Sequence, residues 1–143
     1  NLLSDVDWYK KHPEMITRYP DVQFYDYTKD ESKMRLMLAG KYASNYHLTF
    51  SRSESNEGPC LDILQKAGNV AVVFDTKYSA DKRRPLPKSW RRFRVIDGDL
   101  SDLRFLDKVG KNCRRGVVVG LRAKGKLRRK ENQMDGFVVR THR

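Results

Sequence analysis

The sequence predicts an α/β domain, a mostly parallel sheet of five or six strands with flanking helices. Three observations carry this. Six short segments, each β-branched or aromatic and bounded by turn residues, read as strands: 22–28 (VQFYDYT), 46–51 (YHLTFS), 69–75 (NVAVVFD), 93–97 (FRVID), 116–123 (GVVVGLRA) and 136–140 (GFVVR). Helix-compatible stretches lie between most of them, the alternation expected of βαβ units. Two segments, VAVVF and VVVGL, are continuously apolar, as strands buried on both faces of a parallel sheet are.

Each helix has its own signals. In SDVDWYKKHPEMITRYP, ahead of the first strand, Ser4 is a candidate N-cap with Asp7 three residues on, and Pro13 should break or kink the segment. DESKMRLMLAG follows the first strand, with Asp30 or Ser32 as cap and Gly40 as stop. GPCLDILQKAGN follows the second: Pro59 suits a first turn, Leu61, Ile63 and Leu64 offer an apolar face, and Gly68 ends it. After the fourth strand, LSDLRFLDKVG is expected to be a helix capped by Ser101 or Asp99. Leu103 and Leu106 would face the core, and Arg104 would pair with Asp107 or Asp97.

Length and composition bound the rest. With 143 residues the chain is long enough to bury a core, and residues 1–143 are expected to form a single domain. No run of about 18 apolar residues suggests a membrane span, and the first residues have no apolar signal region. Cys60 and Cys113 are far apart without ligand spacing, so no zinc or iron–sulfur site is expected, and a reducing compartment is the expected location, not secretion. The net charge of +12 is asymmetric: residues 1–81 hold 10 Lys/Arg and 12 Asp/Glu, whereas residues 82–143 hold 20 and 6. Such asymmetry suits a polyanionic partner, nucleic acid above all, although a solvated surface is the plainer reading.

The strand ends carry the chemistry. Apolar strands run out into Asp26, Thr28 and Lys29; into Ser51, Arg52, Ser53, Glu54 and Asn56; into Asp75, Thr76 and Lys77; into Asp97, Asp99 and Asp102; and into Arg122, Lys124 and Lys126. In parallel α/β folds the carboxyl ends of strands form one rim where ligands bind, so these residues are expected to converge. FDTK (74–77) fits part of a metal-dependent nuclease pattern, with Asp75 and a second acid such as Asp97 or Asp26 holding Mg²⁺ and Lys77 stabilising charge. Asp97 and Asp99 are the acids of RVIDGDLSDLRFLD that capping does not absorb.

Two basic segments stand apart, 81–94 and 122–135. The first, DKRRPLPKSWRRFR, sets Lys82, Arg83, Arg84, Lys88, Arg91, Arg92 and Arg94 around Trp90 and Phe93. Basic side chains interleaved with aromatics can pair with phosphates and stack on unpaired bases; alternatively, Trp90 and Phe93 only anchor a loop. The second adds Arg122, Lys124, Lys126, Arg128, Arg129 and Lys130, a basic ribbon if it is a hairpin arm. Arg52 in SRSESN could meet a phosphate or carboxylate, or the segment could be a helix-entry loop. His47 reads as structural, and no P-loop or GxGxxG is present.

FYDYTK (24–29), NYHLTFSRSESN (45–56), NVAVVFDT (69–76), VIDGDLSDLRFLD (95–107), GVVVGLRAKGK (116–126) and GFVV (136–139) together resemble the C-terminal half of a phage-encoded family, the gene product 88 type. The resemblance implies a phage protein in the host cytoplasm and no particular reaction. Longer members look like degenerate (β/α) barrels, with an N-terminal cysteine cluster of radical-SAM-like character that this chain lacks. The fold implied here resembles half of a (β/α) barrel. Half a barrel leaves a sheet face or edge open, so a homodimer, or pairing with a missing N-terminal half, is expected. The leading functional expectation is an accessory protein binding nucleic acid or a phosphorylated ligand through its basic half. The alternatives are an enzyme or enzyme remnant at the strand-end rim with Mg²⁺, and a structural or host-interaction module.

Overall fold

The computed structural model describes residues 11–76, 84–107, 114–129 and 135–141, and the side chains of Phe105 and Arg128 are not among them. Among the described residues, three helices, α1 (Pro13–Arg18), α2 (Glu31–Leu38) and α3 (Glu57–Gln65), accompany six strands: β1 (Phe24–Thr28), β2 (Tyr46–Ser51), β3 (Val70–Phe74), β4 (Ser89–Trp90), β5 (Phe93–Asp97) and β6 (Val118–Arg122). The sheet order is β1-β2-β3-β6-β5-β4, parallel throughout except for the β4–β5 hairpin. The alternating α/β reading thus holds. β1 to β3 lie in chain order, as in a barrel segment; β6 then slots between β3 and β5, an order that hydrophobic pattern does not encode.

Local chemistry explains the elements. Pro13 takes the first position of α1, where its missing N–H costs nothing. The Asp30 carboxylate caps α2 by accepting from the N–H groups of Ser32 and Lys33, and Gly40 follows its end at φ +72°. α3 has Asn56 at its N-cap, but that side chain bonds to the preceding loop instead, accepting from Ser53 N–H at 2.6 Å and donating to Ser51 O at 3.0 Å. Gly68 and Gly116 touch so closely that a Cβ on Gly116 would lie 1.8 Å from Gly68 O.

The core lies on one face of the sheet. Ile16, Met34, Cys60, Ile63 and Leu64 from the helices pack on Tyr46, Leu48, Phe50, Val70, Val72 and Phe74. Leu86 covers the same face at Gly120, where a Cβ would meet its methyl group at 2.9 Å. The other face carries Tyr25, Tyr27, His47, Thr49 and Val119 and is crossed by residues 98–107.

That crossing segment departs from expectation. In place of a capped α-helix it forms two short 3-10 turns, Gly98–Leu100 and Arg104–Leu106. The cap of the first is Asp97, which accepts from Asp99 N–H, while Ser101 Oγ accepts from Leu103 N–H in a local turn. Leu103 and Leu106 are exposed, and Arg104 occupies the buried position with 1% exposure. The Arg104 guanidinium donates to the carbonyls of Gly98 and Ser101 and pairs with Asp107 at 3.3 Å, so the chain wraps around it. Gly98 is required beneath it, because a Cβ there would lie 2.5 Å from both Arg104 Nη1 and Val119 Cγ1. Residues 136–140 do not form a strand either; Val139 makes a single parallel bridge to Phe74.

Candidate nucleic-acid interface

Register decides what the strand ends can do together. Thr28 pairs with Phe50, Phe50 with Val70, and Val70 with Val118. The carboxyl ends of β1 and β2 are therefore level with the starts of β3 and β6. Arg122, level with Phe74, lies four residues further on, about 13 Å at strand rise. The expected common rim is thus split in two by the stagger.

The space beside β3 above the end of β2 is filled by the C-terminal segment. Val139 donates to Val73 O at 2.8 Å and accepts from Asp75 N–H at 3.0 Å. Arg52, whose side chain is 10% exposed, donates to Gly136 O at 2.9 Å and Phe137 O at 2.8 Å. Asp75 accepts from Thr141 N–H at 2.8 Å and from the Thr141 hydroxyl. Two residues singled out for chemistry, Arg52 and Asp75, therefore clasp this segment.

The rim above β5 and β6 is an ion-pair knot. Arg122, 3% exposed, donates to Asp97 at 2.8 and 2.9 Å, to Asp99 at 2.9 Å and to the Arg84 carbonyl at 2.7 and 3.0 Å. Lys124 adds a 2.9 Å pair to Asp99. Hydrogen bonding to Asp97, with Asp99 in support, raises the Arg122 pKa above its ordinary value. Asp97, a candidate second acid for Mg²⁺, and Asp99, a candidate rim carboxylate, here neutralise a buried arginine. Asp75 is not on a strand adjacent to Asp97, since β6 lies between them. Among the described residues no group of three or more His, Cys, Asp or Glu side chains is placed to hold a metal ion.

Of the remaining singled-out residues, Lys77, Lys82, Arg83 and Lys130 lie outside the described residues, as do the cap candidates Ser4 and Asp7 and the Arg128 side chain. Residues 125–128 form one 3-10 turn instead of a hairpin arm, with Lys124, Lys126 and Arg129 exposed along it and Arg84 exposed beside Arg122.

The β4–β5 hairpin is different. Trp90 and Phe93 are 7% and 4% exposed and belong to the core, so the anchoring reading of these aromatics holds and stacking on bases is unavailable to them. Between them Arg91 and Arg92 form a two-residue turn with both φ angles positive, +50° and +70°, the geometry of turns that normally take Asn-Gly. The guanidinium of Arg115 lies 4.0 Å over the Phe93 ring and donates to Arg92 O at 3.4 Å. Lys88, Arg91, Arg92, Arg94, Arg114 and Arg115 are all exposed. Arg91 pairs with Glu57 at 2.6 Å, and Arg92, Arg94 and Arg114 have no carboxylate partner among the described residues. The density of basic residues in 81–94 points to the hairpin arginines, but not to Arg114 and Arg115. No local signal marks them: Val95 pairs with Val118, and only that long-range register, extended, sets residues 114 and 115 beside 91 and 92.

The opposite face holds a polar set around the buried Arg104. Tyr27, His47, Asp107 and Arg104 lie together; burial raises the Tyr27 and Asp107 pKa values and lowers that of His47, and the Arg104 charge lowers all three. A cavity of about 360 Å³ at the amino ends of β1 and β2 is lined by Gln23, Met37, Tyr42, Tyr46 and His47 among others, with no ion pair and no acid in its wall.

A family model described as gene product 88 matches residues 1–140. The chain belongs to the gene product 88 family. This phage-type assignment covers nearly the whole chain and agrees with the motifs quoted above. No curated protein and no solved structure matches it, so the chemistry of this gene product 88 protein must be read from its own residues. No helix among the described residues is long and apolar enough to cross a membrane.

Proposed function

We propose that this gene product 88 protein is a phage accessory protein that binds nucleic acid through the basic surface of its C-terminal half. One observation carries the reading: the exposed arginines at the β4–β5 hairpin and the start of β6 are clustered, and Glu57 is the one acid ion-paired to them among the described residues. Lysines and arginines gathered on one face release counterions when they meet phosphates, which supplies most of non-specific nucleic-acid affinity. The test is a mobility shift with DNA and RNA over a salt series. Binding that weakens steeply with salt is expected; a slope near zero in log K against log salt rejects the reading. Competition by inorganic phosphate or a mononucleotide at low millimolar concentration would instead favour a small phosphorylated ligand.

The nuclease alternative has less support, because Asp97 and Asp99 are engaged by Arg122 and Asp75 by Thr141. Incubating nucleic acid with the protein and Mg²⁺ or Mn²⁺ tests it, and intact substrate in every lane removes it.

A further inference from the structure

We infer that the hairpin corner grips the phosphate backbone of a double-stranded nucleic acid, by guanidinium contacts alone and without base stacking. This rests on the nucleic-acid reading above and adds the form of the partner. Proteins that favour single strands combine a basic groove with aromatic rings on which successive bases stack. Here the two rings among the arginines are unavailable: Trp90 and Phe93 are buried, and the Arg115 guanidinium stacks on the Phe93 ring. The described tyrosines that are exposed, Tyr19, Tyr25 and Tyr27, lie on or just before β1, the opposite edge of the sheet. Five strand spacings separate the two edges, roughly 24 Å.

With no ring among the described residues of this corner open to stacking, affinity there rests on charge, and a duplex offers the denser target. It carries one negative charge per about 1.7 Å of axis and releases more counterion per contact than a single strand. The donors are also preorganised. Arg91 and Arg92 are fixed in a tight turn, Arg91 is held by Glu57 and Arg92 O by Arg115. The planar fork of arginine matches phosphate oxygens bidentately. Phosphate contacts position a protein without reading sequence, so binding is indifferent to base order.

The test is fluorescence anisotropy on a mixed-sequence DNA duplex two turns long, its two separated strands and a scrambled duplex, between about 50 and 200 mM salt. The duplexes are expected to bind alike and more tightly than either strand, with a salt slope of about −3 to −4. Arg92→Ala and Arg94→Ala, checked for folding by circular dichroism, should each flatten that slope by about one. Arg18→Ala with Lys41→Ala, both exposed and outside the basic half, should leave it unchanged. Single strands that bind as tightly as the duplex, with the hairpin arginines still required, overturn the duplex inference while nucleic-acid binding stands. Duplex binding that responds to Lys126→Ala with Arg129→Ala, on the loop after β6, and not to the hairpin variants also overturns it. Absence of binding to every probe overturns both.

Discussion

At the carboxyl ends of β2 and β6 the arginines turn inward. Arg52 and Arg122 are shielded from solvent and donate to carbonyls and carboxylates of the chain itself, and the Arg52 guanidinium lies over the Trp90 ring. At the amino ends of β5 and β6 the arginines turn outward, and Arg92, Arg94 and Arg114 reach no described carboxylate. The same residue type thus serves cohesion at one end and remains available at the other. A basic composition cannot distinguish the two; internal partners can. Parallel α/β folds usually bind ligands at the carboxyl ends, yet here the stagger splits that rim and internal pairs neutralise its charges.

The comparison is sharpest at Arg122. Arg122→Met leaves Asp97 and the nearly inaccessible Asp99 without their main counter-charge, and breaking one side of a buried pair costs about 3–5 kcal/mol. Urea unfolding should show that loss, whereas Arg92→Ala should stay within about 0.5 kcal/mol of the parent. Equal losses for the two variants would erase the distinction between the ends. Next, Asp75→Ala strips the acceptor from Thr141 and should cost about 1–3 kcal/mol, seen as a lower thermal midpoint with nucleic-acid affinity unchanged. A loss of affinity without a loss of stability would return Asp75 to the functional residues.

A smaller effect of opposite sign is expected at the hairpin tip. A non-glycine residue at positive φ costs roughly 1–2 kcal/mol, so Arg92→Gly should raise stability by about 1 kcal/mol while lowering duplex affinity. A rise in both would show that this arginine does not contact phosphate. The smallest effect concerns pH. Burial, and then the Arg104 charge, holds the His47 pKa below its ordinary value. The unfolded chain therefore takes up that proton first, and stability present above about pH 6.5 declines as the pH falls below it, by at most about 1.4 kcal/mol per pH unit. His47→Gln should flatten that part of the curve in urea midpoints taken from pH 7.5 to 5; an unchanged slope would assign the proton elsewhere.

Much of the fold was legible because local signals and burial agreed. Asp30 and Gly40 bound α2 as their chemistry requires, and YHLTFS and FRVID are strands as read. The segment after β5 misled for a physical reason. LSDLRFLD has helical spacing, but its arginine is the buried residue and its leucines are exposed, and nothing local reveals that Gly98 leaves room for a guanidinium against Val119. The site was half legible. The hairpin arginines stood out by density, while the fate of Asp97 and Asp99 depended on β6 lying next to β5, a long-range pairing with no signature in either segment.

The position of β6 also sets an order of assembly. β1, β2 and β3 can pair one after another as they are synthesised, each joined to its neighbour by one crossover. The β4–β5 hairpin has no place beside β3 until residues 118–122 have been made and have slid between them. On a growing chain the arginine-bearing hairpin therefore stays unattached to the sheet until then, and the exposed arginine corner is among the last parts of the molecule to be fixed in place.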